Sequence, residues 1–134
     1  MKLRIHKNSI RFRFNRDEVL ALSSGETLEE SVAVGPLENQ RLAYRIVPEN
    51  GAGESSGIRA DLDANKLTIS VPRQILQAWY EGEQLAVEGE QTWPDGTIRI
   101  LLEKDMQRLN PKKGEDSTGV YPNPLFGKVR CEHP

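Results

Sequence analysis

The sequence predicts an α+β fold: a mainly antiparallel β-sheet of about six to eight short strands, with two short helices on one face. Three observations lead there. Apolar residues alternate with polar ones in many short runs, which is the period of a half-buried strand. Two segments carry helix start and stop signals. The links between neighbouring runs are short and rich in turn residues, as in hairpins.

The elements follow in chain order. Leu3 and Ile5 alternate with Arg4, and Ile10, Phe12 and Phe14 alternate with Arg11 and Arg13. The two sets are out of phase, so His6-Lys7-Asn8-Ser9 must turn or bulge. "NRDEVLALSSG" reads as a helix: Asn15 is an N-cap with Glu18 three residues on, Val19 and Leu22 share a face, and Gly25 stops it. "TLEESVAV" and "QRLAYRIV" are strands, the second with Leu42, Tyr44 and Ile46 on one face. Pro48 to Gly57 is a loop. "IRADL" and "KLTISV" form a hairpin through Asp63-Ala64-Asn65. Pro72 opens a second helix as its first residue, with Ile75 and Trp79 on one face and Gly82 as its stop. "EQLAVEG" and "GTIRILLE" form the last pair, joined through Trp93-Pro94-Asp95-Gly96. Clean alternation along the strands predicts one core face and one solvated face. No internal repeat is visible.

Residues 1–109 form a single α+β domain in this reading. After Leu109 the chain turns rich in Pro, Gly and charge. Residues 110–134 are expected to be an extended tail that packs on the domain or on a neighbouring chain, through Tyr121, Leu125, Phe126 and Val129.

Apolar residues make up 37% and charged residues 28% of the 134, a balance that supports a folded core and argues against disorder. A lone cysteine, Cys131, cannot close an internal disulfide, and "MKLRIHKNSIRFRF" has no continuous apolar stretch of the signal-peptide kind. A cytoplasmic protein without membrane association is the expectation. A net charge of −2 gives no overall pull toward nucleic acid. The charge is uneven, however: residues 1–16 carry Lys2, Arg4, Lys7, Arg11, Arg13 and Arg16 and no acid.

Several stretches together resemble a family of short bacterial proteins of unknown function. They are "NSIRFRF" near the start, "RLAYRI" in the middle, "ISVP" leading into the helix with Trp79, "EKDM" after a strand and "YPNP" near the end. The resemblance covers residues 1 to about 126 and implies a common fold but no activity. Relatives tend to carry an aromatic residue at the place of Met106 and a cysteine at that of Arg108. Thiol or metal chemistry there is correspondingly weakened in this chain.

Few residues offer chemistry. Cys131 and His133 are two of the four ligands a structural zinc needs. His6 and His133 are the only histidines, and no nucleophile elbow is present. "GAGESSG" is glycine-rich, but no lysine follows and no helix opens there, so it is no phosphate loop. No cofactor is expected. Glu103 and Asp105 lie two apart on a strand and so point the same way, opposite to Ile98, Ile100 and Leu102. They are either a crowded acid/base pair or partners for arginines such as Arg99, Arg11 and Arg13. Arg11, Arg13, Arg45, Arg59 and Arg99 all take outward strand positions. On neighbouring strands they would form a guanidinium stripe, suited to phosphates or carboxylates.

The functional expectation is a non-enzymatic binding or interaction module whose arginine-rich sheet face meets an anionic ligand or an acidic protein. Sequence-specific nucleic-acid binding is not expected, and the core phase of the aromatics Phe12, Phe14 and Tyr44 argues against single-stranded nucleic acid. A small enzyme using Glu103 and Asp105 is the alternative. A protomer that assembles through its C-terminal tail is the third reading.

Overall fold

The computed structural model describes residues 1–50, 57–106 and 121. Strands β1 (Lys2–His6) and β2 (Ser9–Phe14) make the first hairpin, and helix α1 spans Arg16–Ser23. β3 (Leu28–Ala33) and β4 (Arg41–Glu49) pair antiparallel, as do β5 (Arg59–Asp63) and β6 (Lys66–Pro72). Helix α2 spans Arg73–Glu81, followed by the hairpin of β7 (Ala86–Trp93) and β8 (Gly96–Lys104). The α+β class and the predominance of antiparallel pairing are as expected.

The strands divide between two sheets, ordered β1-β2-β8-β7 and β3-β4-β6-β5. The single sheet with one solvated face is therefore replaced by two sheets that cover each other's apolar faces. Phe12 and Phe14 of the first sheet, and Ile46, Ile69 and Val71 of the second, are fully buried in one cluster. Each such side chain stabilises the fold by roughly 1.5–3 kcal/mol relative to exposure.

The chain also contains a repeat that its sequence hides. β1-β2-α1-β3-β4 and β5-β6-α2-β7-β8 are the same unit twice. Lys7 and Ala64, the first residues of two equivalent two-residue turns, have φ of 51° and 53°. At the same spacing stand Asn8 and Asn65, Phe12 and Ile69, Phe14 and Val71, Val19 and Leu76, and Leu22 and Trp79. The backbone agrees: the Arg99 N–H donates to the Asn8 carbonyl at 3.0 Å, and the Ala43 N–H to that of Asn65 at 2.9 Å. Substitutions that keep "apolar" but change the residue conserve the packing while erasing the sequence likeness.

Neither unit builds a sheet of its own. β2 lies parallel to β8, and β6 parallel to β4, so the centre of each sheet joins one unit to the other. The edges β5 and β7 approach where Gly89 faces Ile58. The Gln91 side chain closes this seam. Its amide donates to the Ala60 carbonyl at 3.0 Å and accepts from the Ala60 N–H at 3.1 Å, as a strand backbone would.

The helices follow β2 and β6 and pack on each other at the end where those strands finish. α1 starts with the expected reciprocal cap: the Glu18 N–H donates to Asn15 Oδ1, and the Asn15 N–H to Glu18 Oε1, both at 2.9 Å. Gly25, at φ 95°, ends it. Asn15→Ala should cost about 1 kcal/mol, readable as a lower denaturant midpoint with unchanged slope. α2 differs from expectation in two details. Pro72 is its N-cap and still pairs with Glu49 as the last residue of β6, and Leu76 joins Trp79 as a fully buried residue while Ile75 is half-buried. β7 runs on through Gly89 to Trp93, beyond the expected end at that glycine.

Candidate functional site

Register decides which of the candidate residues meet. β2 and β8 align Ser9 with Arg99, Arg11 with Leu101 and Arg13 with Glu103. Arg11, Arg13, Arg99 and Glu103 therefore share the outer face of the first sheet. β1 adds Lys2 opposite Arg13 and Arg4 opposite Arg11. β7 adds Glu88 and Glu90, the latter opposite Arg99. The face is thus basic on β1 and β2 and acidic on β7. Arg45 and Arg59 lie on the second sheet, so the five arginines do not form one stripe.

The opposed charges on this face are largely paired. Arg11 Nε lies 2.9 Å from Glu103 Oε1, and Arg13 Nε 3.8 Å from the same oxygen. These are ion pairs without hydrogen-bond geometry: that oxygen is buried and accepts no hydrogen bond from the described residues. Asp105 takes Lys2 at 3.2 Å, not an arginine. Arg99 pairs with Glu88, which holds its guanidinium pKa above the ordinary value. On the second sheet Arg59 Nη2 reaches both oxygens of Glu49 at 2.7 Å, and Arg45 donates to Thr68 Oγ1 at 2.9 Å. Arg4 has no ion-pair partner among the described residues. Exposed pairs of this kind contribute roughly 0–1 kcal/mol each, so they order the face more than they stabilise the fold.

Lys104 takes the opposite phase from Glu103 and is buried. Its Nζ donates to the Gly82 carbonyl at 3.1 Å and sits 5.2 Å from the centre of the Tyr121 ring. Burial pushes its pKa down. Tyr121 also donates its N–H to the Asp105 carbonyl at 2.7 Å, so this residue of "YPNP" packs on the domain beside "EKDM". The remaining tail residues singled out in the sequence, including Cys131 and His133, lie outside the described residues. Among the described residues no three His, Cys, Asp or Glu side chains gather as a metal set, and no helix is long and apolar enough to cross a membrane.

A concave region lies at the end away from the helices. Core-phase residues near the first hairpin turn, Ile5 and Ile10, meet their equivalents Leu62 and Leu67 from the second unit around a cavity of 430 Å³. Sequence periodicity places all four on inner faces but cannot say that the two hairpin ends converge. Neither Glu103 nor Asp105 lines this cavity.

No curated protein matches the chain. The model of a family of unknown function (DUF7009) matches residues 1–125, and its span takes in the eight strands and two helices of the described residues and the "EKDM" and "YPNP" stretches. The chain belongs to this family of unknown function.

Proposed function

We propose that the protein is a non-enzymatic binding module whose basic surface on β1 and β2 takes an anionic ligand or the acidic surface of another protein. The observation that carries this is the placement of Arg4 directly opposite Arg11 on the outer face, with Lys2 opposite Arg13 beside them. Like charges directly across a strand pair oppose each other. Two carboxylates, Glu103 and Asp105, offset four cations, and Arg4 keeps its donors free of any described carboxylate. An incoming phosphate or carboxylate would relieve that repulsion and meet two guanidinium forks at once. The aromatic residues of β2, Phe12 and Phe14, are buried, so this face offers no stacking platform. That supports an anionic partner recognised by charge over single-stranded nucleic acid. A cytoplasmic setting fits the single cysteine.

The acid/base alternative has weaker support. Glu103 and Asp105 sit on the outer face against cations, outside the apolar cavity, whereas a catalytic pair needs a site that holds substrate away from water.

Titration with a polyphosphate at low ionic strength tests the proposal. Wild type should bind, and affinity should fall as salt is added. Arg4→Gln/Arg11→Gln/Arg13→Gln should bind about tenfold more weakly or worse. Equal binding by both proteins would remove the idea.

A further inference from the structure

The two sheets close on each other at the helical end, where Leu22, Leu76 and Trp79 are fully buried. The opposite end has no such plug among the described residues. There the inner faces part around the 430 Å³ cavity, which falls in the roughly 300–1,000 Å³ range of small-molecule sites. Ile10, Tyr44, Leu67 and Ile98 line it, drawn from both sheets. Its rim is Ile5, Leu42, Leu62 and Trp93, which are 63%, 40%, 69% and 44% exposed. Four of the ten exposed large apolar side chains of the described residues thus converge on one opening. Scattered exposed apolar residues need no explanation, but a convergent set around a hollow does.

The polar groups in this cavity define its ligand. Gln91 has both ends of its amide committed to Ala60. The Tyr44 hydroxyl donates to Glu30 at 3.3 Å. Asp61 is the single charged residue that lines the cavity among the described residues, and it is an acid. Among the described residues no lysine or arginine lines it to receive an anion. A carboxylate or phosphate placed there would lose its hydration and meet a like charge.

We propose that this cavity is a binding site for a compact, uncharged, predominantly apolar small molecule, held between the two sheets at the end opposite the helices. The site is independent of the basic face on β1 and β2. Binding rests on burial of the ligand's apolar surface against the hairpin ends of both units, with little hydrogen bonding.

The neutral fluorophore N-phenyl-1-naphthylamine tests this. Its emission should rise saturably on titration into the full chain, and decan-1-ol should displace it while decanoate at pH 8 does not. Ala60→Phe fills the cavity and should weaken the probe by about tenfold or more. Ile5→Lys/Leu62→Lys changes only exposed rim positions and carries the same expectation should Ala60→Phe fail to fold. Arg4→Gln/Arg11→Gln/Arg13→Gln should bind the probe as wild type does, which separates this site from the basic face. The proposal is overturned by absent probe binding, by wild-type affinity in a folded cavity or rim variant, or by equal displacement by decanoate. It is also overturned if sedimentation shows a wild-type dimer that the rim variant dissociates, since a second copy would then cover the cavity.

Discussion

Replacing Trp79 with alanine should lower the free energy of unfolding by about 3–5 kcal/mol, among the largest single-site losses this fold can show. The indole is fully buried and is the largest such side chain in the described core. It meets Phe14 edge-on, with ring centroids 5.9 Å apart and planes at 78°. It lies on α2, which packs against α1 at the helical end of the core. Truncation leaves a hollow lined by apolar side chains that the two helices cannot collapse without losing their contact. The indole Nε1 is buried without a hydrogen-bond partner among the described residues, which costs part of what the ring contributes. Trp79→Phe keeps most of the ring contact and removes that donor, so it should cost much less, under about 1.5 kcal/mol. Urea denaturation of both variants, with slope as well as midpoint, checks this. A loss below about 1 kcal/mol for the alanine variant would place α2 outside the core.

The second large effect is expected at Gly89. A Cβ there would stand 2.7 Å from the Ile58 Cβ and 3.2 Å from the Ile58 carbonyl oxygen. Gly89 aligns with Ile100 and so faces the core, where its missing side chain makes room for buried Ile58. Gly89→Val should push β5 from β7, draw the Gln91 amide off Ala60 and cost roughly 1–3 kcal/mol from overpacking. Backbone freedom is not the reason, since Gly89 lies within a regular strand. Ile58→Gly removes the Cβ that a side chain at position 89 would meet, so the double variant should be more stable than the sum of the two single losses predicts. Strict additivity would show that the two residues do not share this space.

Gly89 also shows where sequence reading stops. A glycine after "EQLAVE" reads as the end of a strand, because glycine weakens strands by its conformational freedom. Here the strand continues through it to Trp93, because Ile58, thirty-one residues earlier in the chain and just before β5, comes close. Nothing local encodes that approach. By contrast, the Asn15–Glu18 cap, the stop at Gly25 and the inward phase of Ile10, Phe12 and Phe14 were all legible. Each is settled by residues within a few positions of one another.

The candidate site divides along the same line. The outward phase of Arg11, Arg13, Arg99 and Glu103 was visible from alternation alone. That Glu103 meets Arg11 and Arg13, while Asp105 meets Lys2, required knowing that β8 lies parallel to β2 and that β1 is β2's other neighbour. Arg45 and Arg59 have the same alternation and were separated from the rest by sheet membership.

By itself, the sequence determined the strands, the two helices and which side of each strand is apolar, because a period of two, a cap and a tight turn act over a few residues. Only the tertiary structure decided that there are two sheets, that each joins the two halves through a parallel pair, and that their open ends enclose an apolar cavity. The physical reason is that the backbone groups along a strand edge are alike in every strand and carry no address. Partner choice was made by burial: exchanging strands between two like units lets each apolar face cover the other, and no pattern within one strand records which face that will be.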